Sequence, residues 1–180
     1  MKKLKDIKLI VLDVDGTLTD GGIYFDNSGN EFKKFNIKDG AGIVLAQKVG
    51  YDFLILTGRM SSCVQRRCAD LKIRYVEQGV TNKMEFLSNF MKMHNLKSEN
   101  VAYIGDDLID MGPMQIVGVR ACPQDAVEEL KCCCDYVLPY KGGEGAVRYF
   151  LEILLKENQL WNDALSRLYN LQQVENYKIN

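Results

Sequence analysis

Two aspartates, Asp13 and Asp15, carry the first chemical signal in this sequence, because they directly follow an almost continuous apolar run that ends at Leu12. Such a run is typical of a strand covered on both faces, as in a parallel sheet. Residues two apart in a strand point to the same side, so we expect both carboxylates at one strand end. Like charges this close repel each other. The pair makes sense if a cation neutralises it, or if one residue is a nucleophile and the other an acid/base.

Other polar groups stand at the ends of further predicted strands or at the start of a helix. They are Thr57 and Gly58, then Lys83, then Asp106, Asp107 and Asp110. The carboxyl ends of parallel strands meet at one edge of a sheet, so these groups are predicted to share one site. Several carboxylates around one point suit Mg²⁺, which binds one or two carboxylates plus a substrate phosphate. Thr57, the backbone N–H groups near Gly58 and the Lys83 ammonium are suitable donors to an anion. The set predicts phosphoryl transfer.

The predicted reaction has two steps and begins with Asp13. Asp13 attacks phosphorus and becomes an aspartyl phosphate. Asp15 protonates the departing alcohol and then takes a proton from the water that hydrolyses the intermediate. Asp106 is expected to hold Mg²⁺ together with Asp13 and the backbone carbonyl of Asp15. Asp107 and Asp110 are predicted supporting or auxiliary ligands, and the sequence leaves the division between them open.

The elements that must position these groups alternate between strands and helices, which predicts an α/β fold with a doubly wound (Rossmann-like), mostly parallel sheet. The predicted strands cover residues 7–12, 51–56, 73–76, 101–104, 117–121 and 136–138. Two aromatic-rich runs around a turn predict a β-hairpin at about 21–36 that projects from the mouth of the site. Residues 1–157 are predicted to form the phosphatase domain, and residues 158–180 a helical tail.

Composition and charge argue against a nucleic-acid-binding protein and against a membrane-spanning one. The 180 residues suit one domain, and 23 basic against 24 acidic side chains give a net charge of −1. This balance offers no electrostatic footprint for nucleic acid. No apolar run approaches the roughly 20 residues that a membrane helix needs. We expect no nucleic-acid partner, no membrane association and a cytoplasmic location with reduced cysteines.

The motifs resemble those of a known superfamily. DVDGT at 13–17, LTGR at 56–59, Lys83 and GDDLID at 105–110 match, in order, the four motifs of the haloacid dehalogenase superfamily of phosphatases. DGTLTDGGIY, GNEFKKFNIKDGAGI, VTNK and KGGEGAVR extend the likeness over roughly residues 5 to 155, to the 3-deoxy-D-manno-octulosonate 8-phosphate phosphatase family. The resemblance implies a Mg²⁺-dependent phosphatase that acts on this sugar acid phosphate in lipopolysaccharide biosynthesis.

Short spacers between the motifs leave no room for a cap domain, and the resemblance implies a homotetramer in which hairpins and neighbouring subunits close the site. Tyr24, Phe25, Phe32 and Phe35 are expected to pack on another subunit, the alternative being their own core. The resemblance also suggests Arg59 and Arg67 as candidates for binding the carboxylate and hydroxyls of an acidic sugar, or for organising the subunit boundary. A surface ion pair is the alternative for Arg67.

Other functions remain open at this point. A nine-carbon, sialic-acid-like 9-phosphate shares the carboxylate and the terminal phosphate, and a promiscuous small-phosphate hydrolase is a wider alternative. A non-catalytic oligomerisation module is an alternative of another class, although the four catalytic motif residues Asp13, Asp15, Lys83 and Asp106 are all present. A response-regulator-like receiver would leave Asp15 without a role.

Overall fold

The computed structural model describes residues 4–170, which form a six-stranded sheet with helices on both faces and a separate two-stranded hairpin. The strands are β1 (Leu9–Leu12), β2 (Tyr24–Phe25), β3 (Glu31–Phe32), β4 (Asp52–Leu56), β5 (Tyr75–Glu77), β6 (Val101–Ile104), β7 (Val119–Cys122) and β8 (Tyr136–Val137). The helices are α1 (Ile37–Lys48), α2 (Ser62–Asp70), α3 (Lys83–Met93), α4 (Met111–Met114), α5 (Glu128–Lys131), α6 (Ala146–Glu157) and α7 (Trp161–Tyr169).

The sheet order is β5-β4-β1-β6-β7-β8, and every neighbouring pair is parallel. Strand β1 therefore lies where the order reverses, with β4 on one side and β6 on the other. Ligands of open α/β sheets bind beyond the carboxyl ends of the strands at this point. The predicted doubly wound, mostly parallel fold is confirmed, and no cap domain interrupts residues 4–170.

Strand β1 is covered on both faces, as its apolar run predicts. Ile10 and Leu12 belong to the core under α1, α2 and α6, whereas Leu9 and Val11 belong to the core under α3, α4 and α5. Alternate side chains of one strand thus enter two different cores. A strand fixed from both sides gives the residues that follow it, Asp13 onwards, a rigid support.

Helix starts differ slightly from the sequence prediction. Asp39-Gly40 in the sequence predicts a first helix that opens there, and this prediction is wrong. Helix α1 begins at Ile37, because the Asn36 side chain accepts a hydrogen bond from Lys38 N at 2.8 Å. The sequence offers Thr81 or Asn82 as the cap of α3, and in the structure it is Asn82, with Glu85 N donating to Asn82 Oδ1 at 3.1 Å. Strand β5 starts two residues later than predicted, at Tyr75.

The hairpin is short and exposes most of its aromatic side chains. Tyr24 pairs with Phe32, and Phe25 with Glu31. Tyr24, Phe25 and Phe32 are exposed, as expected for a projecting element. Phe35 instead packs against the protein's own core, so the expectation of a partner contact is wrong for this residue.

The tail contributes helix α7, which packs on the rest of the domain. Ala164 is fully buried, and Trp161 and Leu165 are partly buried against the main core, as expected. The rest of the predicted helical tail, residues 171–180, lies outside the described residues. Among residues 4–170, no helix combines the length and apolar character needed to cross a bilayer.

Candidate active site

Lys83, at the start of α3, contacts residues that follow β1 and β6, at the point where the strand order reverses. Its Nζ donates to Asp13 Oδ1 at 2.6 Å and to Asp110 Oδ1 at 2.8 Å. Its side chain is only 1% exposed. Helix α3 begins at Lys83 itself, because Asn82 caps the helix. Together with Asp106, these residues form what we call the Lys83 cluster: Asp13, Lys83, Asp106 and Asp110.

Asp110 and Asp107 have different surroundings, a point that the sequence left open. Asp110 is fully buried; its Oδ1 also accepts from the Tyr103 hydroxyl at 2.7 Å, and its Oδ2 accepts from Asp106 N at 3.0 Å. Asp107 is exposed, and its Oδ1 accepts from Leu108 N at 2.7 Å. Asp110 therefore fixes Lys83 and the loop after β6, whereas Asp107 caps the short turn that follows.

The Lys83 cluster is suited to a divalent cation. One carboxylate oxygen each from Asp13, Asp106 and Asp110 lies within 4.8 Å of the others. Burial and the Asp110 charge raise the pKa of Asp13 to about 6. Burial and the charges of Asp13 and Asp110 raise the pKa of Asp106 to about 8. Hard oxygen donors that repel one another fit Mg²⁺. Asp13 and Asp106 are better suited as ligands than Asp110, because both oxygens of Asp110 are already occupied by four hydrogen bonds in all.

Lys83 remains the cation of this cluster. Burial opposes its protonation, but the carboxylates of Asp13 and Asp110 outweigh burial and raise the pKa of Lys83. Burial, together with the charges of the same two carboxylates, raises the pKa of Tyr103 far above its ordinary value. Lys83 is thus held as an ammonium beside Asp13, where it can neutralise an arriving anion.

Two glycines allow the loop after β1 to lie against Asp106. Gly16 has φ +88°, and a Cβ there would stand 2.0 Å from Asp106 Oδ2. A Cβ on Gly142 would stand 1.7 Å from the carbonyl oxygen of Gly16. Thr17 Oγ1 donates to Asp106 Oδ1 at 3.1 Å, and Gly143 N donates to the Thr17 carbonyl at 3.1 Å. Thr17 and the glycine loop were missed as site residues, although both lie within the motifs.

Asp15 has partners on the hairpin, separate from the Lys83 cluster. It forms an ion pair with Lys33, and Arg59 Nε lies 3.9 Å from its Oδ2. Glu31 Oε1 accepts from Arg59 Nη2 at 2.7 Å and lies 3.7 Å from Lys33 Nζ. We call Asp15, Glu31, Lys33 and Arg59 the hairpin cluster. The sequence prediction did not assign Lys33 or Glu31 to the site, because no spacing pattern relates a hairpin to a strand end.

The remaining predicted site residues lie at two places. Thr57 is buried at the end of β4, where its backbone N donates to the Glu77 carbonyl at 3.0 Å, and Gly58 follows it on the surface. Arg67 contacts the start of α1, with its Nη2 donating to the Asn36 carbonyl at 3.5 Å. Thr57 and Gly58 thus follow β4, the strand beside β1, whereas the guanidinium of Arg67 contacts the start of α1.

Comparisons with known proteins point to one family. A family profile of haloacid dehalogenase-like hydrolases matches residues 76–151. The 3-deoxy-D-manno-octulosonate 8-phosphate phosphatase KdsC of Escherichia coli (strain B / BL21-DE3) is 44% identical over 86% of this chain and 82% of its own. The crystal structure of 3-deoxy-D-manno-octulosonate 8-phosphate phosphatase from Yersinia pestis is 37% identical, with TM-score 0.85 over 88% of this chain and 85% of that one.

A further solved structure was crystallised with ligands. It is the 3-deoxy-D-manno-octulosonate 8-phosphate phosphatase of Moraxella catarrhalis in complex with a magnesium ion, a phosphate ion and a KDO molecule. It is 34% identical, with TM-score 0.87 over 91% of this chain and 94% of that one. With the motifs and the capless fold, these likenesses establish that the chain belongs to the haloacid dehalogenase-like hydrolases, in the 3-deoxy-D-manno-octulosonate 8-phosphate phosphatase family.

Proposed function

We propose that this protein is a Mg²⁺-dependent phosphatase that hydrolyses 3-deoxy-D-manno-octulosonate 8-phosphate, a step of lipopolysaccharide biosynthesis. The observation that carries the proposal is the Lys83 ammonium, bound at 2.6 Å to Asp13 beside Asp106. It occurs in a chain that is 44% identical to a phosphatase of this specificity. A carboxylate, a buried cation and a metal site together suit phosphoryl transfer, where catalysis is positioning and charge neutralisation.

Asp13 is the proposed nucleophile. Its carboxylate lies at the end of the rigid central strand and is held by Lys83 through a single oxygen. Attack on phosphorus forms the aspartyl phosphate and releases the alcohol. Asp15 is the proposed proton carrier: protonated at the start of the cycle, it donates to the leaving oxygen, and it regains a proton from the water that hydrolyses the intermediate. Lys83 balances charge on the phosphoryl oxygens in both steps.

The metal ligands are proposed to be Asp13, Asp106 and the backbone carbonyl of Asp15. Mg²⁺ bound there would supply charge neutralisation and orientation of the phosphoryl group. Asp110 supports this site by fixing Lys83 and the backbone N–H of Asp106. Thr17 restrains Asp106 through its hydroxyl. Asp107 is proposed to act indirectly, by capping the turn that carries Asp110.

Substrate recognition is proposed for residues around the mouth of the site. Thr57 and the N–H groups near Gly58 would bind phosphate, with Lys83. Arg59 is 43% exposed and already lies near Asp15, so its guanidinium can reach a carboxylate or hydroxyl of the sugar acid. Arg67 is proposed to serve at a subunit boundary, because in one subunit its guanidinium contacts α1.

A homotetramer is the proposed assembly. Ile23, Tyr24, Phe25 and Phe32 form an exposed apolar surface on the hairpin, and such a surface is typical of an interface. The proposed location is the cytoplasm, with no nucleic-acid or membrane partner. Sedimentation of the wild type beside Phe25→Ser tests the assembly: a tetramer that dissociates in the variant supports it, and a monomeric wild type at micromolar concentration contradicts it.

A panel of phosphate esters assayed with Mg²⁺ and with chelator tests the activity. It includes the eight-carbon 8-phosphate, a sialic-acid-like nine-carbon 9-phosphate and p-nitrophenyl phosphate. We expect the highest kcat/KM for the eight-carbon ester, lost on chelation. Preference for the nine-carbon ester would support the alternative substrate. Equal rates on every ester would indicate a promiscuous hydrolase, and absence of phosphate release would favour a non-catalytic oligomerisation module.

A further inference from the structure

The hairpin carries a lysine whose burial the fold does not explain. The side chain of Lys33 is 1% exposed, although its neighbour Phe32 is 53% exposed. The hairpin consists of two strands of two residues each and contributes no side chain to the buried core except through Phe35, which packs at its edge. Removing an ammonium from water is unfavourable unless it is paired. The reason for burying Lys33 must therefore lie in what it contacts.

Both partners of Lys33 are carboxylates, and one of them belongs to the DxD motif. Lys33 forms an ion pair with Asp15 Oδ1, and Glu31 Oε1 lies 3.7 Å from its Nζ. Glu31 is held from the other side by Arg59 at 2.7 Å. The backbone carbonyl of Glu31 also accepts from Cys63 Sγ at 3.2 Å, which ties β3 to the start of α2. The hairpin is therefore anchored on both sides of the point where Lys33 meets Asp15.

We propose that Lys33 is a positioning residue of the reaction, which holds the Asp15 carboxylate in the orientation needed at the leaving group. Glu31 keeps Lys33 in place and ties it to Arg59. The inference rests on the proposed function, in which Asp15 is the proton carrier. It gives the hairpin a role in its own subunit's site, besides any contact with a neighbour.

The matched control is the adjacent residue. Lys34 is a lysine on the same hairpin, with its side chain 61% exposed and its Nζ 3.6 Å from Asp20 rather than near Asp15. Lys33→Met and Lys34→Met remove the same charge from neighbouring positions. A general loss of basic charge on the hairpin would affect both, whereas positioning of Asp15 depends on Lys33 and not on Lys34.

A kinetic double-mutant cycle tests the proposal in the full-length protein with Mg²⁺ and the eight-carbon 8-phosphate. We expect Lys33→Met to lower kcat about 10²-fold with little change in KM, the scale of a displaced catalytic group. Lys34→Met should stay within about twofold in kcat. Asp15→Asn should lower kcat about 10²–10⁴-fold, and adding Lys33→Met to Asp15→Asn should lower it no further, because the group to be positioned is gone.

Three kinetic outcomes overturn the proposal. One is an equal effect of the two lysine substitutions. Another is a Lys33→Met effect that is as large in the Asp15→Asn background as in the wild type, since independent roles multiply. A rise in KM with unchanged kcat also overturns it, because Lys33 would then bind substrate rather than position Asp15.

Thermal unfolding of the same four proteins tests the ion pair without turnover. If Lys33 and Asp15 interact, the Tm change of the double variant should differ from the sum of the single changes by about 2 °C or more. Additive changes would show that the pair is absent in solution and would overturn the proposal. The four proteins could show this coupling while the wild type hydrolyses none of the phosphate esters. The ion pair would then exist, but the proposed function would be refuted, and the role of Lys33 in catalysis with it.

Discussion

The Lys83 cluster and the hairpin cluster flank the same DxD motif but differ in charge balance. The Lys83 cluster combines three carboxylates with one ammonium, and burial and mutual repulsion raise the pKa of Asp13 and Asp106. The hairpin cluster combines two carboxylates with two cations in ion-pair contact. The first cluster therefore needs a further cation, whereas the second is already neutral. The difference supports the Lys83 cluster as the proposed place for Mg²⁺ and the hairpin cluster as the proposed support for Asp15.

Removal of the single cation from the Lys83 cluster should have the largest effect. Lys83→Met leaves the buried carboxylates of Asp13 and Asp110 and the half-buried one of Asp106 without their ammonium. Breaking a buried pair in this way costs about 3–5 kcal/mol of unfolding free energy. We also expect kcat to fall by about 10²-fold or more, because charge on the phosphoryl group is no longer balanced. Denaturant unfolding and steady-state kinetics measure the two losses.

The control for this change lies on the same helix. Lys92 is exposed near the end of α3, so Lys92→Met should change the unfolding free energy by less than about 0.5 kcal/mol. If the two lysine variants were equally stable and equally active, the contacts of Lys83 with Asp13 and Asp110 would have no energetic significance.

Close approach of the loop after β1 to Asp106 gives a second, smaller effect. Gly16→Ala forces an alanine into a φ of +88°, which is unfavourable for it, and places its Cβ 2.0 Å from Asp106 Oδ2. Gly50→Ala introduces a similar φ of +96° with no atom within 4 Å of the Cβ, so it measures backbone strain alone, about 1–2 kcal/mol. We expect only Gly16→Ala to weaken Mg²⁺ binding, by about tenfold or more, measured by calorimetry. Equal Mg²⁺ affinities in the two variants would contradict the contact.

The last effect concerns pH. The folded-state pKa values of Asp13 and Asp106, about 6 and about 8, exceed the ordinary value of 3.8. The Mg²⁺-free folded protein then binds more protons than the unfolded chain between about pH 4 and pH 8, so its stability should fall as pH rises through this range. Mg²⁺ at 100 times its Kd should restore about 2.7 kcal/mol, and each kcal/mol raises Tm by about 2–4 °C.

Melting curves with Mg²⁺ and with chelator at pH 6 and pH 8 check this prediction. We expect a larger Mg²⁺-induced rise in Tm at pH 8, because fewer protons compete for the carboxylates. The same rise at both pH values would mean that Asp106 is already ionised in the metal-free protein.

Much of the Lys83 cluster was accessible to sequence reasoning because each member stands at a strand end or a helix start. The buried run before Asp13 and the Asn82 cap before Lys83 predicted where these residues lie. The division between Asp107 and Asp110 was not predictable. It depends on a single turn of 3-10 helix, Leu108–Asp110, which turns one carboxylate inward and leaves the other at the surface.

The hairpin cluster was largely inaccessible to the same reasoning. Two-residue strands show too little alternation to predict which side chains face the protein. The sequence therefore does not distinguish Lys33 from Lys34, although the side chain of Lys33 is buried and that of Lys34 is exposed. Phe35 shows the same limit, since its return to the core follows from an isolated bridge between Thr19 and Phe35. Long-range placement of the hairpin, rather than local pattern, decides these contacts.

The covalent intermediate on Asp13 separates the proposed mechanism from direct attack of water on the phosphate ester. Enzyme turning over the eight-carbon 8-phosphate with Mg²⁺ can be quenched with borohydride, which reduces an aspartyl phosphate to homoserine. The modified peptide is then identified by mass spectrometry. We predict reduction at Asp13 in the wild type. Asp13→Asn should show no reduction and no phosphate release. The control Asp52→Asn, at the opposite edge of the sheet, should behave as the wild type. Reduction at another carboxylate, or near wild-type phosphate release by Asp13→Asn, would contradict Asp13 as the nucleophile.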